Sequence, residues 1–160
     1  FHPTKPILLL GTQRAVRLYN LQAKEAAPKK LIPNGSGLRL SSLAVHPSGD
    51  HVLVGGGDRL IWFDLDAGSR PYQTINDLGA RHCTYHGKLP LFAACHPDSP
   101  TVRLFHGQVY DDLMKNPLIV PLISLKLMNE GESVKAIEFH PQQPWIFLGG
   151  STGTVTLFVS

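Results

Sequence analysis

One phrase is written four times along this chain. An apolar or aromatic residue and a histidine lead into a turn, three times through proline. An apolar run follows, then a short turn, then an alternating segment that closes on an aromatic. The copies open at Phe1-His2-Pro3, Val45-His46-Pro47, Tyr85-His86-Gly87 and Phe139-His140-Pro141, and close at Tyr19, Phe63, Phe105 and Phe158. The four histidines lie 44, 40 and 54 residues apart. A period of roughly 40–45 residues made only of strand-like segments is the mark of propeller blades. The chain is therefore expected to be all-β, and a propeller is first of all a binding platform.

Each copy resolves into strands. Proline fixes φ and suits a tight turn, and it is tolerated at the start of a strand but not within a central ladder. Pro6, Pro90 and Pro144 thus introduce strands at 7–10, 91–94 and 146–148, with 52–54 as the equivalent in the second copy. Their continuous apolar character predicts burial on both faces. Turns such as Gly55-Gly56-Gly57-Asp58 and Gly149-Gly150-Ser151-Thr152-Gly153 follow, where glycine supplies the positive φ of a hairpin. Alternating strands come next at 16–19, 60–63, 102–105 and 155–158, weaker ones at 29–32, 72–75 and 119–125, and first strands of new units at 40–45 and 134–139.

The closing aromatic stands where WD repeats carry their Trp-Asp pair, and Phe63-Asp64 is the nearest match. The expected architecture is a WD-repeat β-propeller: about four C-terminal blades of a seven-bladed ring, in units 1–39, 40–82, 83–133 and 134–160. The repeats are degenerate, so apolar packing is expected to carry more of the stability than a side-chain hydrogen-bond network. The chain opens at Phe1, without Met and inside a repeat, and reads as a piece of a longer protein. Half a ring would leave strand edges and blade faces uncovered, and such edges invite pairing; the piece alone is expected to be insoluble or to self-associate, unless other parts of the protein cover those faces.

Composition narrows the function. Hydrophobic residues make up 42% and charged residues 17%, enough for a core and against disorder. Two cysteines do not make a disulfide framework and suggest a reducing compartment. No run approaches the roughly 18 apolar residues of a membrane span, so no membrane role is expected. The formal charge of +3 is a mild basic bias.

Reactive constellations are sparse. Cys83, His86, Cys95 and His96 have a vaguely zinc-like spacing, but His2, His46, His86 and His140 recur at blade spacing, which argues a shared turn role and no metal site. Cys83 and Cys95 read as small buried residues. The glycines at 55–57 lack the lysine and helix of a phosphate cradle. Asp64 has no acid–base partner that can be named and reads as a ligand of loop amides. Trp62-Phe63 and Trp145-Phe147 read as core between blades. No catalytic residue, cofactor or small-molecule substrate is expected, and the chain is not expected to be an enzyme.

Some segments are more specific than a generic repeat. Phe1-His2-Pro3-Thr4-Lys5-Pro6, Gln13-Arg14-Ala15-Val16-Arg17-Leu18-Tyr19, His46-Pro47-Ser48-Gly49-Asp50 and Trp62-Phe63-Asp64-Leu65-Asp66 resemble the C-terminal propeller of the block-of-proliferation/ERB family of ribosome biogenesis proteins. The most specific pieces are Phe105-His106-Gly107-Gln108-Val109-Tyr110-Asp111-Asp112-Leu113 and Asn116-Pro117-Leu118-Ile119-Val120-Pro121-Leu122. Tyr85-His86-Gly87 and the turn at 96–100 depart from the family pattern, and altered turns are expected there. The resemblance implies a non-catalytic scaffold for large-subunit assembly and pre-rRNA processing, in the nucleus, nucleolus and nucleoplasm. It implies a complex with a second WD-repeat protein and with pescadillo, the latter through an N-terminal region outside this chain, on the pre-ribosomal particle and its rRNA.

The long third interval comes from the insertion between Phe105 and Ser124. Tyr110, Asp111, Asp112, Leu113, Lys115 and Asn116 are the candidate partner-binding residues, with a helical turn capped by aspartate and stopped by Pro117. The alternative is a clip that packs Tyr110 and Leu113 over the blade edge. For direct RNA binding, the candidate cations are Lys29, Lys30, Arg39, Arg81, Lys88 and Lys115. A generic WD-repeat adaptor of another pathway is the remaining alternative.

Overall fold

The computed structural model describes residues 1–23, 27–31, 39–96, 98–108, 110 and 118–159. Fourteen strands among them form four antiparallel sheets that follow one another in chain order. Sheet I holds β1 (Ile7–Gly11), β2 (Val16–Asn20) and β3 (Lys29–Leu31). Sheet II holds β4 (Leu40–Val45), β5 (His51–Gly56), β6 (Arg59–Asp64) and β7 (Gln73–Ile75). Sheet III holds β8 (His82–Tyr85), β9 (Leu91–Cys95), β10 (Thr101–Gln108) and β11 (Leu118–Lys126). Sheet IV holds β12 (Val134–Phe139), β13 (Ile146–Gly150) and β14 (Val155–Phe158). Every pairing is between chain neighbours, so each sheet is a simple meander, the form of a propeller blade.

The blades stack face to face, and the period of two in each strand decides which seam a side chain enters. In β5, Val52 and Val54 face sheet I while Leu53 faces sheet III. In β6, Ile61 and Phe63 join the first seam and Leu60 and Trp62 the second. In β9, Phe92 and Ala94 join the second seam and Ala93 and Cys95 the third. All six residues of β5 are consequently buried, as are the last four of β9. The expected burial on both faces holds for these two strands.

It does not hold for β1 and β13. Leu10 and Phe147 are exposed, with Val155 and Leu157 beside Phe147 on the outer side of sheet IV. Phe147 therefore does not join a core between blades as its sequence context suggested, because no further sheet packs on that side among the described residues. Trp145 instead packs against the His140 ring at 5.3 Å.

The insertion also differs from expectation. β10 runs past Phe105 to Gln108 and pairs along its length with β11, with one irregularity after Leu104 where Phe105 meets Pro121. Gly107 lies in this extension because a Cβ there would come within 2.8 Å of the Phe92 ring. The tight fit lets Phe92 stack on Phe105 at 4.9 Å with nearly parallel planes. The expected helical turn at 110–116 lies, apart from Tyr110, outside the described residues.

Candidate partner-binding faces

Strand direction alternates, so the connections fall on two faces. The turns that carry the repeated histidines, together with the connections between third and fourth strands, lie on one of them, called here the histidine face. The other face carries the short hairpins and the crossings into each new sheet.

On the histidine face the four copies share one construction. The His2, His46, His86 and His140 amides donate to the carbonyls of Ile7, His51, Leu91 and Trp145, each five residues on. The Nδ1 atoms accept turn amides: Thr4 and Lys5 at His2, Ser48 at His46, Lys88 and Leu89 at His86, Gln142 and Gln143 at His140. Nδ1 is thereby an acceptor and the other nitrogen carries the proton. His86 keeps this construction although glycine replaces proline after it, so the altered turn expected there does not occur.

These histidines also reach across to the next blade. The His2 ring packs against Gly49, where φ is +87° and a Cβ would overlap the ring. His46 meets Tyr85 edge-on at 5.0 Å. His86 Nε2 donates to the Gln143 carbonyl at 2.8 Å. On this face the imidazoles that fix the turns of the first three sheets also touch the next blade, His2 and His46 by packing and His86 by a hydrogen bond.

The candidate cations do not form one patch. Lys88 is exposed on the histidine face. Arg39 and Arg81 are exposed on the opposite face, each immediately before the first strand of its sheet. Lys29 and Lys30 lie on β3, the outer strand of sheet I, and the Lys29 amine is engaged by the Leu65 carbonyl of sheet II. Among the described residues, Lys30, Arg39, Arg81 and Lys88 have no carboxylate within ion-pair distance. Lys115 falls outside the described residues, as do Asp111, Asp112, Leu113 and Asn116; Tyr110 is half-buried.

Two groups that the sequence did not single out adjoin Arg81. Burial lowers the pKa of His82, and the Arg81 and Lys135 charges lower it further. Lys135 occupies the second position of β12 and His82 the first of β8, the first strands of neighbouring sheets. Aligning those strands by unit would have matched Lys135 with Arg81, each five residues before its repeated histidine.

The inner strands line a recess of about 600 Å³ among Leu43, Val45, Cys83, Tyr85, Ile137 and Glu138. Its chemistry favours contact rather than reaction. Burial pushes the Cys83 thiol up to about 11, so it stays protonated, with its sulfur 3.1 Å from Ser42 Oγ; a nucleophilic cysteine needs the opposite shift. Glu138 is met by the Thr84 hydroxyl at 3.5 Å. Asp64 accepts the Asp66 and Ala67 amides at 2.8 and 3.0 Å, the loop role expected of it. Among the described residues no group of three or more His, Cys, Asp or Glu side chains is placed to hold a metal ion.

No family model matches the chain. It is 48% identical to the ribosome biogenesis protein BOP1 homolog of Chlamydomonas reinhardtii, over 99% of this chain and 20% of that protein. It is 45% identical to the human ribosome biogenesis protein BOP1 over 99% of this chain and 21% of that one. Identity to the ribosome biogenesis protein ERB1 of Yarrowia lipolytica is 42%, over 100% of this chain and 20% of the relative. The chain thus spans about a fifth of the length of these relatives. Among solved structures, the β-propeller domain of Cps50 (Swd1) from Myceliophteria thermophila superposes with a TM-score of 0.83 at 11% identity, covering 99% of this chain and 56% of that one. The likeness establishes the WD-repeat propeller fold.

Proposed function

We infer that this chain, a segment of the BOP1/ERB1 family of ribosome biogenesis proteins, serves ribosome biogenesis as a non-catalytic docking wall. The observation that carries the reading is identity of 42–48% along the whole chain to proteins of that name. The platform of stitched turns supports it, since long loops on a rigid frame are where binding concentrates.

In the finer reading, the parent protein scaffolds large-subunit precursors in the nucleolus. It works with pescadillo and a second WD-repeat protein, and the insertion at 110–116 contributes contacts to a partner. Affinity purification of the parent protein tests this. Recovery of pescadillo, a WD-repeat partner and precursor rRNA supports the reading. A complex that lacks all three returns the chain to a generic adaptor role.

Direct RNA contact is a second reading, favoured by Arg81 and Lys135, whose charges both reach His82 and neither of which is paired to a carboxylate among the described residues. Phosphate contacts release counterions, so affinity should fall steeply with salt. Absence of binding at low salt removes this reading and leaves the scaffold one untouched.

A further inference from the structure

The second seam, between sheets II and III, differs chemically from the other two. Four buried side-chain polar atoms have no hydrogen-bond partner among the described residues, and three of them belong to side chains of this seam: His51 Nδ1, Trp62 Nε1 and Tyr85 Oη. The fourth, Arg17 Nε, belongs to sheet I. Buried polar groups almost always find partners, because leaving one unpaired costs about 1–3 kcal/mol. The Trp62 ring contacts both the His51 and the Tyr85 ring, so the three unpaired atoms sit on one ring cluster.

The rings around them form a closed circuit. His46 meets His51 at 6.2 Å, His51 meets Trp62 at 6.0 Å, Trp62 meets Tyr85 at 6.2 Å, and Tyr85 returns to His46 at 5.0 Å. All four contacts are edge-on. Phe92 packs against both Trp62 and Tyr85 and closes the circuit from sheet III.

The donor and acceptor inventory matches one ligand. Trp62 Nε1 can only donate, and the Tyr85 hydroxyl can donate or accept. His51 Nε2 stands 3.8 Å from Asp64 Oδ2, which favours the proton on Nε2 and leaves Nδ1 as an acceptor. A molecule that takes two hydrogen bonds and gives one satisfies all three atoms. We propose that this seam holds one buried water molecule, which accepts from Trp62 Nε1 and Tyr85 Oη and donates to His51 Nδ1. It joins β5 and β6 of sheet II to β8 of sheet III, at the level where His46 already touches Tyr85. The seams on either side contain no such orphaned side-chain atoms among their described residues.

The test uses the intact propeller of the parent protein. A crystal structure at atomic resolution should show an ordered water within about 3 Å of at least two of the three atoms. A seam with no such density, or with the three atoms paired directly to protein groups, overturns the proposal. Nitrogen-15 shifts of His51 give a second reading in solution: an unprotonated Nδ1 that accepts a hydrogen bond is expected. A proton on Nδ1 contradicts the assignment, since that atom could not accept from water.

Discussion

His86 Nε2 lies 2.8 Å from the backbone carbonyl of Gln143, across the seam between sheets III and IV. The same ring accepts two amides of its own turn through Nδ1 and is fully buried, edge-on to Phe139 at 5.4 Å. One imidazole therefore fixes a turn and fastens it to the next blade.

Replacing His86 with alanine should expose both functions at once. Loss of the interblade bond and of the amide acceptor predicts destabilisation of about 2–3 kcal/mol, read as a lower urea midpoint of the parent propeller. An unchanged midpoint would show that water replaces the ring without cost.

Gly49 gives a sharper steric test. Its φ of +87° disfavours any side chain, and the His2 ring occupies the place of a Cβ. Gly49→Ala should cost about 1–3 kcal/mol. Gly68, also at positive φ but with open space around it, should tolerate alanine better. Equal costs at the two sites would mean that backbone strain alone decides.

Trp62 is about 1% exposed and anchors the second seam. Trp62→Ala should cost about 3–5 kcal/mol. Phe147→Ala, measured on the isolated chain dilute enough to be monomeric, should cost less than about 0.5 kcal/mol, because that ring is exposed on sheet IV. Thermal unfolding of the two variants checks the contrast.

Stability should fall in mild acid. Burial lowers the pKa of His46, and the His51 charge lowers it further against a smaller pull from Asp50. Burial also lowers that of His51, against opposing pulls from Asp64, Asp50 and Asp66. The unfolded chain then binds protons more readily than the folded one below the ordinary histidine value of 6.5. This contribution is whole above 6.5 and is lost as pH drops through the lower folded values. Urea midpoints taken from pH 7.5 down to 5 should decline, and replacing both histidines with glutamine should flatten that decline.

The isolated chain should associate with itself. Leu10 on sheet I and Phe147, Val155 and Leu157 on sheet IV present apolar faces that monomeric proteins rarely leave uncovered. Sedimentation velocity should give species larger than a 17.5 kDa monomer. A single monomeric boundary that persists at high concentration would contradict this.

Most strands were legible because Pro6, Pro90 and Pro144, together with the glycine turns, punctuate the chain where its hydrogen-bonding pattern changes. The strands at 40–45 and 134–139 were found to the residue. The extension of β10 was not, since His106-Gly107-Gln108 shows no apolar alternation; its glycine answers to the Phe92 ring, a contact made only after folding. The turn role of the histidines was readable from their spacing. The meeting of Arg81, His82 and Lys135 was not, because it depends on neighbouring sheets placing their first strands side by side.

The division of β5, β6 and β9 between two seams also governs what length changes this protein can absorb. Losing one residue from a middle strand would send every later side chain of that strand to the wrong neighbour, spoiling two cores with a single deletion. Insertions are therefore confined to the crossings between sheets and the outer connections. Homologous chains should differ in length only there, while their ladders keep one count of residues.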